Sequence, residues 1–392
     1  MDITLNEEQK MIMETALSFS RSALTPQAIR DLEASEHGYD EATWRKMVEM
    51  GWAGAVFPAE YGGSGLGLLE LALIIEALGQ GAVPSPLFST VVEAGMLIVE
   101  AGSAAQRGHR LPRIAGGSSI LTTAIMEPAG GMLPDEIQTQ VAKTKSGYRI
   151  SGTKLFVRDA GVAEALLCAG RASADSPNMT LILVPSNAAG VARRRLRTSG
   201  GEALWEVTFE GVDIGEDAVI GEAGMAWPPI ERMLLRGAAL KSAELVGIGQ
   251  SALDLTVEYA KTRVQFGRPI GTFQAVQRHC ADMYRDVAVG RLLAWQAAVR
   301  LGSGRPALRE VAMAKAKNSE AIPAVTRTAH QVHGAFGYYR DYPLELYYHR
   351  AIAAAATCGD ARHHRRSLAR LLHENMDAFR GDHRHDLPVH HL

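Results

Sequence analysis

The spacing of apolar positions changes twice along the chain. From residue 7 to about 116 they recur at helical intervals: Leu5, Met11, Met13 and Ala16 begin one face, Trp44, Met47 and Met50 another, and Leu69, Leu71, Ile74, Ile75 and Leu78 a third, with Gly and Pro breaks between. Short helices are expected there. Between about 120 and 220 the period falls to two, and the stretches 148–157, 181–184 and 204–209 read as strands separated by Gly, Ser, Asn and Asp clusters. After Pro228 longer helical segments return at about 229–265, 272–301, 306–334 and 343–376, rich in Ala, Leu and Arg. Four such helices joined by short links predict an antiparallel bundle. The expected fold is therefore α+β and multidomain: a helical domain over 1–117, a β-barrel or sandwich over 118–224, a four-helix bundle over 225–380 and a flexible tail over 381–392. No internal repeat is visible.

The 392 residues carry 41 Lys plus Arg against 43 Asp plus Glu, a net charge of −2, and are 47% hydrophobic and 6% aromatic. Such a chain can bury a full core, which excludes a disordered or fibrous protein. So balanced a charge offers no long-range field to hold a polyanion, and no nucleic-acid recognition motif appears, so no nucleic-acid partner is expected. The start of the chain lacks the basic region and apolar core of a secretory signal, and no apolar run approaches the roughly 20 residues of a membrane span. A cytoplasmic protein without membrane contact is expected. Cys168, Cys280 and Cys358 stand far apart without CxxC spacing, which argues against a disulfide framework or a thiolate metal site and points to core positions.

Several motifs have plain readings. Tyr61-Gly-Gly-Ser-Gly-Leu-Gly67 has the glycines of a phosphate loop but no strand before it, so an interhelix turn is expected. Arg193-Arg-Arg-Leu-Arg197 would either grip a phosphate or lie along a solvated strand edge, and the edge is the commoner outcome. His383, His385, His390 and His391 in the tail lack preorganised acidic partners for a metal, while His363 and His364 sit on a basic helix face. The informative segment runs from Lys261 to Gln277. It closes one long helix and opens the next, so Arg263, Gln265 and Phe266 project together from a helix end: a donor fork for phosphate, an amide, and an aromatic face for a base.

That segment carries the pattern RxQFGxxxxxxQ, completed by Gln274. It has company in Pro58-Ala-Glu-Tyr-Gly-Gly63, Met126-Glu-Pro-Ala-Gly-Gly131, Ile150-Ser-Gly-Thr-Lys154 and the run from Gln331 to Pro343. In this order these motifs, covering nearly the whole chain, resemble the signatures of the acyl-CoA dehydrogenase family. The resemblance implies an extended FAD whose flavin ring is held by the β domain of one subunit and whose ADP half is clamped by the C-terminal helices of a neighbour. It places Arg263, Gln265, Phe266 and Gln274 on the pyrophosphate and adenine side of the clamp, Gln331, Gly334 and Gly337 near the adenosine, and Phe156 against the ring. Oligomerisation is then a requirement of the site.

The reaction so implied removes the α proton of an acyl-CoA thioester while the β carbon gives a hydride to the flavin, leaving a 2-enoyl-CoA. The family's base is a glutamate at one of two places. Here the first reads Ala353-Ala-Ala-Ala-Thr-Cys-Gly-Asp360 and the second falls at Gly237-Ala238, so neither holds a Glu, and Asp360 is the only carboxylate near a usual position. Met126 stands where the family has a threonine, and Phe156-Val-Arg158 replaces Trp-Ile-Thr beside the ring. The Arg158 charge is expected to favour a reduced flavin anion or to point to solvent. The run 346–360 resembles a branch common in actinobacterial steroid catabolism, whose members often form α2β2 assemblies of unlike subunits. The resemblance thus implies a dehydrogenase subunit for a bulky or branched acyl-CoA, with an electron-transfer flavoprotein as acceptor, in a homo-oligomer or an α2β2 assembly. The alternatives are a same-fold flavin oxidase or monooxygenase, and a non-catalytic partner subunit.

Overall fold

The computed structural model describes residues 4–130, 133–173 and 178–382. Gly131 and the tail histidines lie outside the described residues.

Six helices open the chain: α1 (Glu7–Ala23), α2 (Pro26–Ala34), α3 (Glu41–Glu49), α4 (Leu68–Gln80), α5 (Met96–Ala101) and α6 (Ala104–Ala115). Polar caps set the starts of α1, α2, α3 and α6, with Asn6 accepting from Gln9 N at 2.8 Å and Asp40 from Thr43 N at 2.7 Å. The glycines of 61–67 form the expected turn: Gly62 has φ +80°, and a Cβ on Gly63 would stand 2.1 Å from the Phe57 carbonyl oxygen. Helix α4 is apolar almost all round and is buried accordingly. Before α5 the chain passes through a π-helical turn, Phe88–Gly95, buried at every position. Such widened turns re-aim side chains, and this one carries Glu93 inward.

Eight strands follow: β1 (Leu121–Ala124), β2 (Gln140–Lys143), β3 (Tyr148–Arg158), β4 (Ala165–Arg171), β5 (Met179–Pro185), β6 (Val191–Arg195), β7 (Leu204–Ile214) and β8 (Val219–Ile220). They form one sheet in the order β6-β7-β3-β2-β4-β5-β8, with β1 beside β4. The arginines of 193–195 lie on edge strand β6 and are engaged by their own chain: Arg193 donates to the Ala160 carbonyl, Arg194 pairs with Glu206 at 2.9 Å, and Arg195 donates to the carbonyls of Glu33 and Ser35. The register of β3 against β7 slips between Lys154 and Val157, and at that bulge Phe156 takes φ +55°.

The C-terminal helices are α7 (Trp227–Thr262), α8 (Gln274–Gly302), α9 (Leu308–His333), α10 (Leu344–Ala356) and α11 (Ala361–Asp382), with a two-stranded hairpin, β9 (Val264–Gln265) and β10 (Arg268–Pro269), between α7 and α8. The single helix expected over 343–376 is therefore two. Cys358 and Gly359 adopt φ +54° and +90°, which ends α10, and Asp360 caps α11 by accepting from His363 N at 2.8 Å. The carbonyls left open by the break are met by Lys315, fully buried on α9, whose ammonium donates to Ala355 O at 2.8 Å and Gly359 O at 2.9 Å. Burial draws the Lys315 pKa down to about 7. One apolar core runs from α4 to α7, α8 and α9, and a second fills the sheet. Among the described residues no helix is long and apolar enough to cross a membrane.

Candidate active site

A cavity of about 500 Å³ opens where the sheet meets α7, α10 and the turn after α10. The β3 bulge turns Phe156 into it, 47% exposed, and Leu155 N donates to Met126 O at 2.9 Å, which sets Met126 beside it. The Met126 loop is anchored from below. Glu127 accepts from Lys154 Nζ at 2.6 Å, Gln138 N at 2.7 Å and Thr139 N at 3.0 Å, and the Lys154–Glu127 pair is buried. Burial works against the Glu127 charge, yet the Lys154 ammonium and these donors hold its carboxyl below the usual range. The lysine of the Ile150–Lys154 motif is thus a structural anchor for a cavity wall.

The two places where the resemblance looks for a base meet in space. A Cβ on Gly237 of α7 would stand 2.7 Å from the Cys358 sulfur, and Cys358 lines the cavity, its thiol pushed up to about 11 by burial. Asp360 is exposed, does not line the cavity and has its carboxylate on the start of α11. The αL turn at Cys358 and Gly359 presents the cysteine to the cavity and leaves Asp360 at the helix start.

Arg158 does not point to solvent. Its Nη1 donates to Glu93 at 3.2 Å and its Nη2 to Thr357 at 2.9 Å, and Nε lies 3.7 Å from Glu202. Lys241 on α7 bridges Glu202 at 3.1 Å and Glu244 at 2.7 Å, and the Phe88 ring lies 4.4 Å from its ammonium and 5.5 Å from the Arg158 guanidinium. Burial raises the Glu93 pKa even against Arg158 and Lys241, whereas Glu202, also penalised by burial, is lowered to about 2 by Lys241 and Arg158. These cavity carboxylates were missed in the sequence. Glu93 belongs to a segment whose π turn leaves no mark in the hydrophobic period, and Glu202 to an irregular loop.

The second group of expected site residues stands elsewhere. Arg263, Gln265 and Phe266 lie at the end of α7 and on the β9–β10 hairpin, a different setting from the bare helix end expected. Phe266 and Gly267 form the two-residue tip with φ +53° and +77°, and Phe266 is 93% exposed. Gln265 donates to the neighbouring Val264 carbonyl at 2.8 Å, and Gln274 opens α8 exposed. Arg263 lines a surface cleft of about 750 Å³ with Tyr259, His333, Phe336, Tyr339 and Tyr342; Tyr259 stacks on His333 at 4.4 Å and on Phe336 at 5.5 Å. Those aromatics were not anticipated. Gln331 and Gly334 are exposed at the end of α9, Gly334 at φ +60° with open space where a Cβ would go. Gly337 is buried, and a Cβ there would stand 3.0 Å from the His333 Cβ, a tight fit within the chain's own packing.

This donor set fits a dinucleotide. An exposed guanidinium, an amide, an exposed aromatic ring and an open glycine on one surface suit a pyrophosphate and an adenine. The cavity with Phe156 on its wall suits a flat ring. No residue lines both the cavity and the cleft. Among the described residues no cluster of His, Cys, Asp and Glu is arranged to hold a metal ion.

Residues 6–118, 122–212 and 226–373 match the N-terminal, middle and C-terminal domains of acyl-CoA dehydrogenases. The chain is 31% identical over 380 residues to the acryloyl-CoA reductase (NADH) of Anaerotignum propionicum, covering 94% of this chain and 95% of that protein. It is 32% identical over 384 residues to the acyl-CoA dehydrogenase FadE27 of Mycobacterium tuberculosis, covering 95% and 99%. Among solved structures, the ChsE4-ChsE5 complex from Mycobacterium tuberculosis matches with a TM-score of 0.86 at 30% identity, covering 95% of this chain and 99% of that one. With the three domains matched in order and relatives above 30% identity along nearly its full length, the chain belongs to the acyl-CoA dehydrogenase family, FAD flavoproteins that are oxidoreductases acting on CH–CH bonds.

Proposed function

We propose that this chain is one of two unlike subunits of an FAD-dependent dehydrogenase that desaturates a bulky or branched acyl-CoA and passes its electrons to an electron-transfer flavoprotein. The observation that carries the reading is that the two places where a base is expected meet at Gly237 and Cys358, and neither of these residues is a carboxylate. The other carboxylates on the cavity, Glu93 and Glu202, are both tied to Arg158. FAD, when bound, supplies the hydride acceptor. In this reading Arg263, Gln265, Phe266, Gln274, Gln331, Gly334 and Gly337 hold the ADP half of a cofactor whose ring lies in the homologous partner, and the partner brings the glutamate base. Phe156 stands on the wall of this chain's own cavity, the ring side that in this reading is left without a base. The apolar lining by Ile125, Leu155, Leu204, Leu234 and Ile352 supports a bulky acyl group. The pairing of two unlike chains in the ChsE4-ChsE5 structure supports the assembly.

The test is purification of the chain alone and co-expressed with a homologue that carries a glutamate at a base position. Flavin absorbance and its bleaching by acyl-CoA should appear with the pair and be weak or absent with the single chain. Bleaching by NADH followed by reduction of an enoyl-CoA, the sense of the Anaerotignum relative's name, would replace this reading with a reductase.

A further inference from the structure

A second, smaller cavity of about 90 Å³ adjoins the first, lined by Ile75, Leu78, Val83, Leu87 and Ile248 together with Lys241 and Glu244. Arg158, Gly200, Glu202 and Ala353 line both cavities and so form the wall between them. Gly200 and Ala353 close part of that wall, because a Cβ on Gly200 would stand 2.4 Å from the Ala353 Cβ. The rest is the ion-paired cluster. Arg158 on β3 is held by Glu93 of the π turn, by Thr357 of the α10–α11 turn and by Glu202, which Lys241 of α7 holds in turn. Because these partners come from separate elements, no single loop or helix end can swing the wall aside.

We infer that Arg158 limits which acyl groups this chain's own cavity accepts: with Glu93 and Glu202 it forms a charged wall that shuts the cavity to straight acyl chains long enough to reach the adjoining one. The inference rests on the acyl-CoA reading above. An alkyl tail that passed the wall would part Arg158 from two carboxylates in a buried setting, leaving charges unpaired, and burying a few methylenes does not offset that loss. Compact acyl groups remain in the first cavity and are unaffected. The wall also accounts for an arginine where the family has a small hydroxyl residue, since only the long side chain spans from β3 to both Glu93 and Thr357.

The experiment is calorimetric binding of butyryl-, hexanoyl-, octanoyl- and decanoyl-CoA to the full chain as purified, with FAD added. The parent's affinity should stay level within about twofold beyond hexanoyl. Arg158→Met with Glu93→Gln removes one charge of each sign, and in this double variant each added methylene should raise affinity about fourfold, the increment for a freely buried CH₂. Arg158→Lys keeps every charge but spans fewer partners, so it should show the same trend more weakly and serves if the double variant does not fold. A parent series that already climbs at that slope, or folded variants whose series stay level, would overturn the wall. Absence of binding by every thioester to parent and variants would overturn it together with the acyl-CoA reading of this cavity. Dehydrogenation by the chain alone, measured separately, would overturn only the partner reading and leave the length series standing.

Discussion

Arg263 follows the last turn of α7 with its guanidinium exposed beside an aromatic cleft, so its removal should touch ligand and not fold. Arg263→Ala is expected to lose a charge-assisted contact worth about 1.5–3 kcal/mol, roughly a 10- to 150-fold weaker hold on FAD. Flavin absorbance after gel filtration reports the loss, and the thermal midpoint should not move. Full flavin content in a folded Arg263→Ala assembly would remove this residue from the clamp. Asp360 is the opposite case, its carboxylate engaged on the first turn of α11. Asp360→Ala should lower stability by about 0.5–2 kcal/mol through loss of the α11 cap, while Asp360→Asn, an equally good cap, should be neutral. Neither should slow flavin reduction by acyl-CoA. A fall of about 100-fold in Asp360→Asn would restore the carboxylate as a general base.

The turn between α10 and α11 places Cys358 in the cavity and is held by groups that dislike charge. His364, buried, has its Nε2 2.9 Å from the Cys358 carbonyl oxygen, and burial, aided by Lys315, lowers its pKa from 6.5 to about 4. The unfolded chain binds that proton near pH 6.5 and the folded chain only near 4, so the stability tied to His364 is complete above 6.5 and is lost as pH falls through 4. Asp159 runs the other way: burial raises it from 3.8 to about 7, so its share is complete below 3.8 and is lost as pH rises through 7. The measurement is therefore a difference. Urea unfolding of parent and His364→Gln between pH 7 and 4 should show the parent losing more on acidification, and parallel curves would show that His364 is not the group responsible. The Glu127–Lys154 pair is a second element-level staple. Lys154→Met leaves Glu127 buried and uncompensated, a loss of about 3–5 kcal/mol, and adding Glu127→Gln should recover much of it. Both are read from the denaturation midpoint.

At the scale of the whole molecule, the proposed function divides the cofactor site into two halves that differ in how well they match the family motifs. The clamp side presents Arg263, Gln265, Phe266, Gln274 and Gln331 on exposed surface, while the ring side has Met126, a tied-up Arg158 and no free carboxylate. In a homo-oligomer every chain needs both halves, so selection would have kept both. An α2β2 assembly with a glutamate-bearing homologue, holding fewer flavins than chains, is the expected outcome. Native mass measurement with flavin absorbance checks it, and a fully flavinated homotetramer that dehydrogenates acyl-CoA unaided would contradict it.

The sequence by itself determined the order of helical, β and helical segments, because amphipathic period and glycine, proline and cap positions are local properties that survive without knowledge of contacts. It also carried the family motifs, and with them Arg263, Gln265, Phe266 and Phe156 as residues worth following. Only the tertiary structure decided what depends on neighbours distant in the chain. Gly237 and Cys358 are brought into contact, Glu93 is turned inward by the π turn, Arg158 is caught between two carboxylates, and the last long helix breaks at an αL cysteine that periodicity reads straight through. Whether a charge is free or paired, and whether a carboxylate faces a cavity or caps a helix, is set by burial and by partners that no local spacing records.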